Sequence, residues 1–485
     1  MTTLLAGLDL GTTGAKAVLV DAATGATVAR AHRDYPSDTG TAGRHEQNPD
    51  DWWTAAAATL REVLVRFPAG AVAAVGLSGH MHAVALIDDH DRPVRPALTW
   101  ADRRATAEVR RLRGSLMGEL TGNPVVEAFS APKLAWLATH EPATVARAAR
   151  LVQPKDVLRH RLTGSWGTDV TDAAGTLLYD IHAGRWDPRL WELTGADPRL
   201  AVPVAGSAEV VGAVTAAAAT ATGLPAGIPV VAGGGDVSCA ALGAGVVAEG
   251  HVYVNVGTAA QIVTPLNAPP EASPERFLFA RAAEPGFLTM VSSYAAGLAI
   301  RWSERTLLGG GPDGTADHVA AGSEPGARGL TFLPYLLGAS APIHDPDIRA
   351  ALLGAGPEHG PADVARATLE GVAYACAAAV DQAAPAVTEI RVGGGVTRSA
   401  IWREAFTAVA GAPVRRLRQD ASPRGAVALA GVGAKIWPDV AAAVTALDDS
   451  APLPPVTAGR ADYRAARRRY AAATAAVAAF AKESR

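Results

Sequence analysis

The first apolar segment, residues 4–10, is short, carries one acid at Asp9, and stops at Gly11-Thr12-Thr13-Gly14. A second apolar segment follows at 15–20, and Asp21-Ala22-Ala23-Thr24-Gly25 separates it from a third at 26–32. Short apolar runs punctuated by Gly, Thr and Asp predict strands joined by turns, so the chain opens strand, turn, strand, turn, strand. Residues 50–66 carry a helical pattern behind the start signal Asn48-Pro49-Asp50. Residues 71–77 and 83–87 predict strands flanking Ser78-Gly79-His80-Met81-His82. From about 105 to 223 helices and loops mix, which reads as a cap on a first domain. A strand at 229–232 runs into Gly233-Gly234-Gly235-Asp236, and 237–247 can be helical. A strand at 389–392 leads into Gly393-Gly394-Gly395, and 399–410 predicts a helix.

The opening pattern then echoes. Leu8-Asp9-Leu10-Gly11-Thr12-Thr13 is matched in character by Val254-Asn255-Val256-Gly257-Thr258-Ala259, about half a chain away. Each is apolar, acid or amide, apolar, Gly, Thr, small, and each begins one half, which points to an internal duplication. At 485 residues the chain is too long for one ordinary core and suits two α/β domains. The boundary is expected near 247–250, giving domains 1–247 and 248–485.

Charge narrows the partners. The formal net charge is −3 and no basic run stands out, which argues against nucleic acid or an anionic membrane as the main partner. No apolar run of about 18 residues predicts a membrane span, and the first residues lack the basic start of a signal peptide. Cys239 and Cys376 are too few for a disulfide framework and suit a reducing compartment, so the expected location is the cytoplasm. Cys239 lies near Asp236 in sequence and reads as a small buried thiol.

Phosphoryl transfer asks little covalent chemistry of a protein. It needs amides and hydroxyls around the phosphates, a carboxylate to organise a divalent cation, and a base aligned with the acceptor hydroxyl. The first glycines join two strands, whereas a P-loop or dinucleotide motif opens a helix, so neither common nucleotide motif matches. Asp9, with Gly11, Thr12 and Thr13, puts a carboxylate beside a turn that can aim donors at phosphate oxygens. A plain polar hairpin would show the same pattern. Asp236, after three glycines at a strand's end, sits where open α/β sheets place ligands and is a candidate base. An Asp directly before a helical run is equally a helix N-cap. His80 and His82 alternate on a strand-like segment and are expected on one face. A metal site would need a third ligand, and no suitably spaced one is evident nearby. His82 therefore reads as a hydrogen-bonding group for a polyhydroxylated substrate, and His80 reads equally well as a structural histidine. Trp52, Trp53 and Trp100 can stack on a sugar face or fill a core.

Taken together, the motifs resemble those of the FGGY carbohydrate kinases, and within them the xylulokinases. Besides Asp9-Leu10-Gly11-Thr12-Thr13 they include Glu46-Gln47-Asn48-Pro49, Trp52-Trp53, Gly79-x-Met81-His82, Ser130-Ala131-Pro132-Lys133-Leu134 and Pro154-Lys155-Asp156. They continue with Thr171-Asp172-Ala173-Ala174-Gly175-Thr176, Gly233-Gly234-Gly235-Asp236, Phe332-Leu333-Pro334-Tyr335-Leu336 and Gly393-Gly394-Gly395 ahead of Ser399 and Trp402. The resemblance implies two actin/hexokinase-like (ribonuclease H-like) α/β domains with ATP and sugar in the cleft between them. It implies Asp236 as the proton acceptor and Met81 and His82 as sugar contacts, with His80, Trp100 and Asp102 beside them. It assigns Asp9, through water, to Mg²⁺. Gly11, Thr12 and Thr13 match the first phosphate loop, Gly257 and Thr258 the second, and Gly393, Gly394 and Gly395 the adenosine motif. The expected partners are ATP and a small sugar, and a homodimer stays open as the assembly.

Several positions depart from the xylulokinase pattern. His80 stands where Gln is usual, Ala101 replaces the Asn of Trp-Asn-Asp, and Val237 replaces an Asn after the base. Gly338-Ala339-Ser340-Ala341-Pro342 replaces Gly-Glu-Arg-Thr-Pro, removing a charged pair. The expected reaction is ATP-dependent phosphorylation of a ketopentose, with D-xylulose first. Ribulose, a fructose-like ketose and arabitol are the alternatives. Two other classes compete: a chaperone-like or filament-forming ATPase of the same fold, for which the C-terminal helix from about Asp462 is too short, and a sugar-sensing regulator, for which no DNA-binding module precedes Leu4.

Overall fold

The three opening apolar segments form strands β1 (Leu4–Leu10), β2 (Gly14–Asp21) and β3 (Thr27–Asp34), as the pattern predicts. In this computed structural model residues 3–483 are described, apart from 313, 342, 385 and 458. The chain divides into two units. One comprises Met1–Val247, Leu266–Leu288 and Asp420–Asp448, the other Ala248–Pro265, Thr289–Gln419 and Asp449–Arg485.

In the first unit the sheet also contains β4 (Val72–Gly79), β5 (Val210–Ala213), β6 (Pro229–Val231) and the short β7 (Gly234–Gly235). Its order is β5–β6–β4–β1–β2–β3, with β7 paired to β4. β1 runs antiparallel to β2 and parallel to β4. Every residue of β1 is buried, because both faces of the strand are covered. Leu4, Ala6, Leu8 and Leu10 pack with Trp52, Ala56 and Leu60 of the helix Pro49–Leu64. Leu5, Val18, Val20 and Ala74 pack instead with Val427, Leu429 and Ala430 of the helix Ala421–Gly433. The strand period of two therefore puts Leu5, Gly7 and Asp9 on the face that meets the second helix.

Glycines set how closely that helix lies. A Cβ at Gly7 would sit 2.2 Å from the Pro423 carbonyl oxygen, and one at Gly76 would sit 1.8 Å from that of Ala426. The helix Asp236–Gly243 crosses the same helix where Gly243 and Gly425 each approach the other's backbone, with Cβ positions 1.9 Å from Ala421 O and 1.8 Å from Cys239 O. These are backbone contacts that cannot swing aside. Gly76→Ala is expected to cost about 2 kcal/mol of stability, read as a melting temperature lowered by several degrees.

The second unit repeats the arrangement. Its β8 (His251–Val256) runs antiparallel to β9 (Ala260–Leu266) and parallel to β10 (Glu389–Gly393), and β10 runs parallel to β11 (Val414–Arg416). Val252, Val254, Val256, Ile262 and Val392 share a core with Val372, Cys376 and Val380 of the helix Pro361–Ala383. Trp402 and Phe406 of the helix Ala400–Val409 complete it. Among the described residues no helix is long and apolar enough to cross a membrane.

Candidate active site

The polar residues of the first unit gather where its apolar strands end. Asp9 pairs in register with Lys16 on β2 and Ser78 on β4. Ser78 Oγ donates to Asp9 Oδ1 at 2.7 Å, and Ser422 Oγ donates to the same oxygen at 2.8 Å. Both hydroxyls engage Oδ1, which leaves Oδ2 for water or a cation. Burial raises the Asp9 carboxyl above its usual range and Asp420 adds to this, against the lowering effect of Lys16, Ser78 and Ser422. Lys16 Nζ is ion-paired with Asp420 Oδ2. The first turn closes with Gly11 N–H on Gly14 O at 3.0 Å. The Thr12 carbonyl accepts from Gln47 Nε2 at 2.7 Å and its hydroxyl from Trp100 Nε1 at 2.8 Å. Thr13 is exposed at the tip.

Asp236 begins a helix one residue beyond β7, whose Gly234 and Gly235 pair with Ser78 and Gly79. The N-cap of that helix is Gly235, with no side-chain cap, so Asp236 is not the capping residue. Its Oδ1 instead accepts from the Val237 amide at 2.9 Å. Gly233 has φ +77°, and a Cβ there would lie 2.2 Å from Leu77 O, so the turn requires glycine. A Cβ at Gly235 would lie 2.6 Å from the Met81 sulfur, which packs over the peptide preceding Asp236. Burial and then the neighbouring Asp9 charge push the Asp236 carboxyl up to about 7.

The expected shared face of His80 and His82 is not what forms. β4 ends at Gly79, and His82 has φ +69°, so strand alternation stops before either ring. His80 is 1% exposed and packs edge-on to Trp52 at 5.7 Å between ring centres. Both its ring nitrogens are buried without a hydrogen-bond partner. Burial, then His45, His82 and Lys133, push its pKa down to about 3. His82 packs against Phe129 and Phe279, and its Nδ1 lies 2.6 Å from the Gly175 carbonyl. Burial likewise pushes His82 down to about 3. The ring is neutral, Nδ1–H donates to Gly175, and Nε2 is left as an acceptor. Asp102 is fully buried, and both oxygens take hydrogen bonds from Arg104 while Oδ2 also takes one from the His45 amide. Trp52 belongs to the core, Trp53 is half-buried, and Trp100 is 38% exposed above Thr12.

In the second unit Gly257 N–H bonds Ala259 O at 2.9 Å, closing a hairpin turn one residue shorter than that at Gly11. The Thr258 carbonyl accepts from the amides of Ala296 and Leu298, and Arg301 Nη2 donates to its hydroxyl at 3.2 Å. Gly393 pairs with Asn255 across the sheet. Gly394 has φ +90° and a Cβ there would lie 2.5 Å from Val256 O, so it too requires glycine; Gly395 opens a short 3-10 turn behind it. Of the 338–342 segment, Gly338, Ala339, Ser340 and Ala341 are described and Pro342 lies outside the described residues. Cys239 is buried, with Sγ 3.4 Å from Gly234 O.

Among the described residues no group of three or more His, Cys, Asp or Glu side chains is placed to hold a metal ion. Asp9 fits a hard cation as one oxygen ligand of a site completed by water and phosphate, the usual manner for Mg²⁺. Sequence reasoning missed Lys16, Ser78, Asp420 and Ser422. The one legible signal was Lys16, a lone cation inside the apolar run of β2; Ser78 follows only from the pairing of β4 with β1, and Asp420 and Ser422 lie at the start of a helix, Ser422 being 413 positions away from Asp9.

Comparison with known proteins agrees with this architecture. The model of the FGGY family of carbohydrate kinases, N-terminal domain, matches residues 4–243, and that of the C-terminal domain matches 253–434. A xylulose kinase of Bacillus subtilis is 31% identical over 446 residues, covering 88% of this chain and 87% of its own. A gluconokinase of the same organism is 27% identical, covering 83% and 82%. The crystal structure of xylulose kinase from Rhodospirillum rubrum superposes with a TM-score of 0.89 at 29% identity, covering 99% of this chain and all of that one. The expected two-domain actin/hexokinase-like α/β fold is borne out, and the chain belongs to the FGGY family of carbohydrate kinases.

Proposed function

We propose that this carbohydrate kinase transfers the γ-phosphoryl group of ATP to D-xylulose, giving D-xylulose 5-phosphate and ADP. A primary hydroxyl oxygen of the sugar forms the new bond to phosphorus as the bond from phosphorus to the bridging oxygen of ADP breaks. Asp236 takes the hydroxyl proton. The observation that carries this reading is the Asp236 carboxylate itself, held at a glycine turn beside Met81 and lifted to about 7 by burial and Asp9, where it can be both deprotonated and usefully basic. His82 Nε2 accepts a sugar hydroxyl, and Trp100 offers an exposed ring for a sugar face. Thr12, Thr13, Gly257 and Thr258 contact the phosphates, and Gly393, Gly394 and Gly395 leave room for the adenosine. Mg²⁺, held through Asp9 and water, offsets phosphate charge when bound.

Xylulose is favoured by the retained Met81-His82 pair and by the xylulose kinase relatives. Ala101 and Val237 each lack an amide, and Asp102 is engaged by Arg104 and His45. Each hydrogen bond lost to a sugar hydroxyl costs about 1 kcal/mol, so two weaken xylulose selectivity by roughly tenfold or more. Specificity constants for D-xylulose, D-ribulose, L-ribulose, D-fructose, arabitol and gluconate are the test. D-xylulose is expected to be phosphorylated with reduced selectivity, and Val237→Asn is expected to raise its turnover. A different substrate preferred by more than about a hundredfold would end the xylulose reading and leave the carbohydrate kinase.

A further inference from the structure

A short helix, Val170–Ala174, lies between the two groups assigned to the sugar. Asp169 caps it, accepting from the amides of Thr171 and Asp172. Asp169 Oδ2 also accepts from Thr171 Oγ1 at 2.8 Å and Ser207 Oγ at 2.7 Å. Its Oδ1 lies 3.1 Å from Nζ of Lys155. Lys155 is fully buried and also meets Asp156 at 2.7 Å and Asp172 at 3.2 Å. Burial pulls its pKa down, and the three carboxylates together more than offset that and hold it cationic. The cap of this helix is therefore anchored in a buried charged cluster, and breaking such a cluster is costly.

The single hydrogen of the Thr171 hydroxyl goes to Asp169, so its oxygen faces the other way as an acceptor. It takes the amide hydrogen of Gly235, the residue that precedes Asp236, at 2.7 Å. At the far end of the same helix the Gly175 carbonyl takes the His82 Nδ1 hydrogen at 2.6 Å. The turn before Asp236 has three glycines and little intrinsic stiffness. Gly233 N–H is held by the Ser207 carbonyl and Gly234 O by Cys239 Sγ, while β7 pairing and the Thr171 bond hold Gly235, the residue next to Asp236.

We infer that Thr171 is a positioning residue, which holds the Gly235 amide so that Asp236 keeps a fixed register against the sugar hydroxyl set by His82. This rests on the reading of Asp236 as the base. Without the Thr171 acceptor the Gly235 N–H is buried unpaired and the end of the turn next to Asp236 loses a tether. A displacement of about 1 Å at a reacting group can cost about a hundredfold in rate.

The test compares Thr171→Val, which keeps shape and removes the acceptor, with Thr171→Ser, which keeps it. Thr171→Val is expected to lower kcat about ten- to a hundredfold with KM for sugar and ATP within about threefold. The acid limb of its pH profile should also move from about 7, because a displaced carboxylate changes its depth and its distance from Asp9. Thr171→Ser should recover kcat to within about threefold. Ser207→Ala removes a different donor to the same Asp169 oxygen and should lower stability while leaving kcat within about twofold. If Thr171→Val does not fold, Thr171→Cys, of similar size with a much weaker acceptor, should fall between wild type and that loss. Unchanged kcat and pH limb in the folded variant, or equal losses in Thr171→Ser or Ser207→Ala, would overturn the assignment. Asp236→Asn measured alongside separates the two readings: if it is inactive and Thr171→Val is normal, only the positioning role fails; if it turns over normally, both fail.

Discussion

Asp236→Asn is expected to lower kcat by about a thousandfold while leaving sugar and nucleotide affinity nearly unchanged, since a positioned general base contributes roughly 10²–10⁴ in rate. Asparagine keeps the shape and can still accept from the Val237 amide, but it cannot take a proton. The helix does not depend on the carboxylate, because its cap is Gly235. The charge has a second, opposite consequence. Asp236 binds its proton more tightly in the folded protein than in the unfolded chain, with a pKa raised from 3.8 to about 7. The wild-type fold therefore loses stability as pH rises from about 4 to about 7, and the loss is complete above about 7. Asparagine avoids it, so the variant should be more stable than wild type at pH 8, by up to about 4 kcal/mol, with the gap closing toward pH 4. Coupled ADP release and thermal unfolding at pH 5 and 8 measure both. Near-normal turnover would remove Asp236 as base, and marked unfolding would give it a structural role instead. In the wild-type enzyme kcat/KM for the sugar should fall as pH drops through about 7, as Asp236 becomes protonated.

Much of the fold was written locally. β1, β2, β3 and β4, the helices Pro49–Leu64 and Ala400–Val409, and both hairpin turns follow from apolar runs, caps and glycines close in sequence. The echo between residues 8–13 and 254–259 marked real equivalents, since each begins an antiparallel hairpin whose first strand also has a parallel neighbour. What periodicity did not show is the return of residues 420–448 to the first unit. That packing depends on Gly7, Gly76, Gly243 and Gly425 letting backbones meet, and such complementarity between distant small residues has no local signature.

The candidate site divides the same way. Asp236, Gly233, Gly235 and Gly394 were legible because the turns need glycine and place a carboxylate at a strand end. The shared face expected of His80 and His82 fails because alternation was carried past the end of β4, where the left-handed backbone at His82 breaks it. Lys16 and Ser78 follow from register once the strand order is known, since both pair with Asp9. Ser422, Asp420 and the Lys155–Asp169–Thr171 chain follow only from the folded chain.

Asp9→Asn is expected to raise the Mg²⁺ concentration needed for half-maximal rate by about 10–100-fold, the usual cost of removing a group that acts on a metal through water. The argument lies in how Asp9 is held. Ser78 and Ser422 both donate to Oδ1. An asparagine can keep its oxygen on those hydroxyls, which turns its NH₂ group toward the side where Oδ2 stood. A donor then replaces an acceptor where a cation or its water would bind, with little change to packing. The same substitution removes a like charge beside Asp236, and because Asp9 is one cause of the raised Asp236 pKa, the acid limb of the pH profile should move below 7. Metal demand and pH limb thus shift together, which a general loosening of the sheet would not produce. Rates measured against Mg²⁺ concentration at several pH values give both readings. An unchanged Mg²⁺ requirement would take Asp9 out of the metal site, and an unmoved limb would mean that burial alone sets the base.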